Sequence, residues 1–455
     1  MLDILLSILA FLITICIVIS IHEFGHFIAA RLLGIKVLCF SIGFGKKIFR
    51  WKGKKGTEYA ISAIPLGGYV KMLGENEEEK IAKEDLHLAF NRQPVSKRLA
   101  VVCAGPFFNL LFAVFAYWLM FMIGFTTVKP VIGKIVPDSI ADMSGLKARQ
   151  EIVMVDKKKT SDWTAVMTAV FVRIGDEGWM QVKTKLPKTD VLRNYSINLT
   201  DWEIGDFKPQ PIQSLGIIPF HPEIPAVIGT FVKADPKVKS ILKVGDKVLA
   251  INNKPITNWY ELANQIKLAP NKTLTFKILR DKKIISVSVP VGDKRVSLWK
   301  KEGSLGITPE FQWPETFLNK NEYSAWPALK QAYHQTTSFV SLNFILLGKM
   351  ITGDVSIFSL GGPITIFEGA GAAFKSGVAI FLSFLAFINI AIGIINILPI
   401  PGLDGGYICY YLIEAIIRRP IPAKVQEIAF RLGMTVIFFI MFVALFNDFF
   451  RLFRP

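Results

Sequence analysis

Hydrophobic positions in this chain gather into long unbroken blocks on either side of a mixed middle region, rather than alternating as they do in soluble helices and strands. The first block runs from Ile4 to Ile21, broken only by serine and threonine hydroxyls, and continues through His26 to Leu33. At about 1.5 Å per helical residue it nearly crosses a hydrocarbon core of roughly 30 Å. Leu99 to Phe125, Val378 to Leu403 and a Phe-rich stretch from about Ile428 to Phe446 read the same way. Four spans put both termini on one side. A signal peptide is the other reading of an early apolar block, but this one is long and opens with Asp3 rather than lysines, which favours a retained helix.

Composition supports an integral membrane protein: 455 residues, 51% of them hydrophobic, with mean hydropathy +0.41. The net charge of +17 would suit a nucleic-acid partner, but the basic residues crowd beside the apolar blocks. Arg31 to Arg98 holds fourteen Lys/Arg against seven Asp/Glu, and Arg418, Arg419 and Lys424 precede the last block with Arg431 at its start. These are positive-inside signals, so both loops are expected in the cytoplasm, with the termini and the long segment from Thr126 to Lys375 outside. No nucleic acid is expected as a partner. Cys16, Cys39, Cys103 and Cys409 all lie in or near the blocks and match no disulfide framework or cysteine zinc site.

The outer segment repeats. A shift of 96 residues aligns Gly133 and Val136 with Gly229 and Val232, Leu146-Lys147 with Leu242-Lys243, and Trp163 with Trp259. A period near a hundred implies two similar small domains rather than a solenoid. The second copy, Leu242 to Asn252, resembles PDZ domains, in which a leucine-bearing turn leads into Gly-Asp and a strand. The first copy departs from that pattern, with Arg149-Gln150 in place of Gly-Asp. PDZ domains take extended peptides by adding a strand to a sheet edge. A role as spacers or size filters is the competing reading.

The candidate chemistry sits at the end of the first block. In Ile21-His22-Glu23-Phe24-Gly25-His26, helical spacing puts both imidazoles on one face, able to hold one Zn²⁺, with Glu23 beside it as general base toward a water. Ionisable groups at membrane depth are costly and functional by default. Catalytic zinc sites usually offer three protein ligands, and Asp404 is the best third candidate. It is expected inside the third span, where Pro399 and Pro401 break the helix and Gly402, Gly405 and Gly406 permit unusual turns. Asn396 could orient a substrate carbonyl or stabilise an oxyanion; a helix-packing hydrogen bond explains it equally well. His87, His221 and His334 have no paired partner in sequence.

Together these residues resemble the site-2 type of intramembrane zinc protease, and within it the bacterial RseP group with tandem PDZ domains. The likeness rests on His22 to His26, Phe40 to Gly45, Gly56 to Tyr59, Ile64 to Met72, Ala104 to Asn109, Gly361 to Ile364 and Asn396 to Gly406. It implies His22, His26 and Asp404 as zinc ligands, Glu23 as general base, and Gly43-Phe44-Gly45 in a membrane-associated β-hairpin that pairs with substrate. The implied fold is about four transmembrane helices with two inserted PDZ-like β/α domains. Its parts are residues 1–125, the two PDZ-like units at 126–220 and 221–312, a juxtamembrane segment at 313–375 along the outer face, and 376–455. The implied activity is regulated cleavage of single-pass proteins in the bacterial inner membrane after an earlier outside cut. The expected substrates are of the anti-sigma-factor type and include remnant signal peptides. The PDZ-like units would be periplasmic, screening peptide ends or outer substrate parts, and the active site would lie toward the cytoplasm. A metal transporter or channel and a non-catalytic adaptor remain as other classes, both disfavoured by an intact H-E-x-x-H with an intramembrane aspartate.

Overall fold

The computed structural model of the protein describes residues 2–75, 81–187, 189–202, 211–232, 234–295, 301–356 and 361–453. Among them, four helices are long and apolar enough to cross a membrane, within Leu2–Leu32, Val95–Ile123, Val378–Ile397 and Ala423–Phe453. The second span is the centre of the bundle, packing against the first span, the third span and a 28-residue helix, Ala325–Thr352. Small residues allow the approach: Ala113 and Ala116 of the second span bury against Ala328, Ala332 and Ala386. The segment expected along the outer face is thus packed onto the bundle through its first helix. Its second helix, Pro363–Lys375, lies against the first span, where a Cβ on Gly371 would fall 2.2 Å from the Ser7 hydroxyl. Asp448 of the last span caps that helix, its carboxylate accepting from the Ile364 and Thr365 amides and the Thr365 hydroxyl.

Between the first two spans, strands Val37–Lys52 and Glu58–Met72 fold back on themselves into one sheet. Residues 39–42 pair on one side with 68–71 and on the other with 58–61, which in turn pair with 47–52. Residues 68–72 and 47–52 are therefore its two outer strands.

The sequence repeat is a structural one. Strands Ile132–Ile135, Glu151–Val155 and helix Trp163–Phe171 recur as Ile228–Phe231, Lys247–Ile251 and Trp259–Lys267, each starting 96 residues later (228 after 132, 247 after 151, 259 after 163). Each unit has its own four-stranded sheet of matching order and its own apolar core. The first copy's departure has a physical basis. Asp246, 1% exposed, is held by Arg280 and the Lys243 amide. At the matching position Gln150 binds the Tyr195 and Thr184 hydroxyls instead, a neutral network for a charged one. Arg149 keeps the left-handed turn of Gly245, at φ 69° against 88°. The first unit is also tied to the bundle: Lys349 of the long helix pairs with Asp176 at 2.6 Å and donates to the Ile174 carbonyl.

One expectation is corrected. The third helix stops at Ile397, and Asp404 begins a separate helix, Asp404–Ile417, after a six-residue turn. Pro399 and Pro401 supply no amide hydrogens, and Gly402 sits at φ 101°. The turn survives because two of its amides bond locally, Ile400 to Leu398 and Leu403 to Ile400, and because glycines let other helices close over it. A Cβ on Gly433 of the last span would meet the Pro401 carbonyl oxygen at 1.8 Å.

Removing the Asp246 carboxylate should unpin Arg280 and the turn at Lys243. Asp246→Ala is expected to destabilise the second unit by about 2 kcal/mol, seen as faster hydrogen exchange across residues 273–290 with the first unit unchanged.

Candidate metal centre

The first span reaches this site as one uninterrupted helix, which sets His22 and His26 one turn apart with ring centroids 4.8 Å apart. Gly25, between them, faces the second span: a Cβ there would lie 2.4 Å from the Ala104 carbonyl oxygen. Gly105 answers from the other side, where a Cβ would come 2.4 Å from His26 Nε2 and 2.8 Å from His22 Cε1. The two helices can meet around the imidazoles only because both positions lack side chains.

His26 Nδ1 lies 2.9 Å from the Val101 carbonyl oxygen. A carbonyl only accepts, so Nδ1 carries the proton and the Nε2 lone pair faces inward. His22 Nδ1 is buried without such a partner. Asp404 arrives from the start of its own helix, with Oδ2 3.1 Å from His22 Nε2 and 3.4 Å from His26 Nε2, while the two Nε2 atoms are 3.2 Å apart. Tetrahedral ligands at the usual zinc distances of about 2.0–2.1 Å stand about 3.3–3.4 Å from each other. The three donors match that spacing, and among the described residues buried Asp404 Oδ2 has no hydrogen bond of proper geometry to compete. The donor set fits a zinc ion. Among the described residues it is the only such group of His, Cys, Asp and Glu.

Glu23 lines the same cavity, of about 800 Å³, together with Gly68, Tyr69 and Val70 of the outer strand. Its Cγ would lie 2.9 Å from a Cβ on Gly68, so that glycine brings the sheet edge against the glutamate. The other expected site residues stand farther out. Gly43 and Gly45 have φ 91° and 84°, which shape the bend, and Phe44 stacks on Tyr69 with ring centroids 6.4 Å apart. Phe44 is not among the residues lining the cavity; its ring covers Gly67 and stacks on Tyr69, which does line it. Lys47 and Glu58, 2.6 Å apart in the hairpin, shift each other, the lysine holding the carboxyl below its usual range. Asn396 occupies the last turn of the third span, half-buried, and is not among the residues lining the cavity. Sequence reading quoted the stretches holding Gly105 and residues 68–72 as part of the likeness without giving them a role, and passed over the Val101 carbonyl and an ion pair between Arg98 and Glu414. The signal for the first was Gly105-Pro106 within a bulky helix.

A membrane bundle that closes on such a centre defines a membrane metalloprotease. The model of "Peptidase family M50" matches residues 10–440. A Vibrio cholerae protein provisionally named a zinc metalloprotease is 41% identical over 99% of this chain and 100% of its own length. "Protease RseP" of Yersinia pestis is 39% identical and "Regulator of sigma-E protease RseP" of Escherichia coli K12 38% identical, each with the same coverage. The PDZ domain of the SdrC-like protein of Listeria monocytogenes matches over 20% of this chain and 93% of its own, at 18% identity and TM-score 0.17, too slight a likeness to bear on either unit's fold. This chain belongs to peptidase family M50 and is a zinc metalloprotease.

Gly105→Ala is expected to push His26 aside and drop bound zinc well below the parent's content. Metal analysis of detergent-purified protein with unchanged helix content checks this; full zinc retention would show that the imidazoles can yield.

Proposed function

We propose that this protein is an intramembrane endoprotease that cuts single-pass membrane proteins of the anti-sigma-factor type after an earlier cut outside. Remnant signal peptides form a second substrate class. The observation that carries the reading is the convergence of His22, His26 and Asp404 from helices far apart in sequence, next to Glu23 and a sheet edge. The sigma-E regulators among its relatives support the substrate class.

In this mechanism His22, His26 and Asp404 hold zinc, which when bound supplies a Lewis acid for a peptide carbonyl and acidifies a nearby water. Glu23 takes that water's proton as it attacks and hands it to the departing nitrogen. A transmembrane helix hides its amides in its own hydrogen bonds, so the substrate must unwind and have its backbone satisfied again. Residues 68–72 offer an outer strand whose Gly68, Tyr69 and Val70 line the cavity, so substrate pairs there as an added strand. Gly43-Phe44-Gly45 then act at one remove, Phe44 bracing Tyr69. Asn396, in the last turn of the third span and outside the cavity lining, would meet substrate only outside the cavity wall. The protein resides in the bacterial inner membrane, with its basic loops and the active site toward the cytoplasm and the two β/α units outside. Those units act as PDZ-like screens against uncut substrates.

Glu23→Gln should keep zinc and lose cleavage of a reconstituted single-pass substrate by about 10²- to 10⁴-fold, whereas Asp404→Ala should also bind zinc measurably more weakly. Undiminished cleavage by Glu23→Gln would remove it as the base. In hydrogen exchange of Glu23→Gln with trapped substrate, the amides of 68–72 should gain more protection than those of 43–45; the reverse order would return the pairing role to the hairpin bend.

A further inference from the structure

Asp404 must be held at fixed distances from two imidazoles on another helix, yet it opens a 14-residue helix that follows a broken turn. At its near end that helix is seated by glycine: a Cβ on Gly405 would meet the Leu398 carbonyl oxygen at 2.0 Å. At about 1.5 Å per residue its last turn begins roughly 15 Å away. There Glu414 meets Arg98 of the second span in a two-pronged pair, at 2.6 and 3.1 Å. The guanidinium also donates to the Gln93 carbonyl and lies over the Tyr411 ring, 4.8 Å from its centroid. Both charged side chains are largely buried, at 13% and 17% exposure. Among the described residues this is the only ion pair the helix makes apart from Asp404 itself.

Such a pair is a poor source of stability, because desolvation cancels much of its attraction and apolar residues would pack as well. What it offers is orientation. Apolar contacts of Ile408 and Tyr411 with the second span tolerate sliding and rotation, whereas a two-pronged fork allows one register. Arg98 lies seven residues, two helical turns, before Gly105, so a single face of the second span handles all three donors. It clears space for both imidazoles at Gly105, fixes the ring of His26 at the Val101 carbonyl, and pins the Asp404 helix at Arg98.

We propose that Arg98 and Glu414 are positioning residues for Asp404, setting the rotation and register of its helix so that its carboxylate completes the metal centre. The proposal rests on the zinc reading above. Its test is zinc affinity of the full chain in detergent, measured by competition with a chromophoric chelator, for Glu414→Gln and for Arg98→Lys, which keeps the charge and loses the fork. Each variant is made in the parent and in an Asp404→Ala background. Expected is about a tenfold loss of affinity for Glu414→Gln, as is typical when a ligand's supporting partner is removed, a smaller loss for Arg98→Lys, and no further loss once Asp404 is gone. Affinity unchanged by both variants, or an equal loss with and without Asp404, would overturn the positioning role while leaving the zinc site standing. A folded parent that binds no zinc, or one whose affinity Asp404→Ala leaves unchanged, would instead overturn the site reading and the proposal with it.

Discussion

Everything at the metal centre depends on how closely the second span can approach the first. Two helices normally keep their axes about 8–10 Å apart, with side chains between them. Here Gly25 and Gly105 remove those side chains where the imidazoles must fit, and the Val101 carbonyl enters the same gap. The second span therefore acts as a template. The first span brings the imidazoles to it, the helix after the third span brings the carboxylate, and the long helix at Ala325–Thr352 supports it from behind.

Lipid gives this arrangement its second constraint. A broken helix is tolerated in a bilayer only where protein covers the exposed backbone. The turn from Leu398 to Leu403 meets that condition through its own bonds and through Gly405, Gly406 and Gly433, which admit the backbone at distances no side chain would allow. The last span, whose surface is otherwise mostly exposed, thereby becomes part of the support for Asp404, which opens the helix immediately before it.

Much of this was legible in the sequence because it depends on local pattern. Apolar blocks announced the spans, a 96-residue shift announced two units whose elements then fell in step, and His22-Glu23-x-x-His26 needed only helical spacing. Asp404 was legible as chemistry but not as geometry: prolines and glycines told of a break without telling that a new helix starts at the aspartate itself. Arg98 with Glu414, and the sheet edge at 68–72, were illegible because each is made by residues brought together in three dimensions. Strand 68–72 is an edge only because 39–42 takes its other side. Gly43-Phe44-Gly45 entered the sequence reading through the family resemblance alone, and the positive φ of both glycines shapes a bend behind the cavity.

The tight seat of Gly25 bears on anyone who would redesign this motif. In H-E-x-x-H the two middle letters are written as free, but only one of them is free in this chain. Phe24 is 40% exposed and could vary with its surroundings, whereas Gly25 abuts the Ala104 carbonyl with no space for even a methyl group. A combinatorial library that held His22, Glu23 and His26 and randomised both middle positions would spend nearly all its diversity on sequences whose helices cannot close. The information needed to close the two helices around the imidazoles is thus four letters long on the first span, with a fifth, Gly105, carried by its neighbour, before Asp404 completes the site.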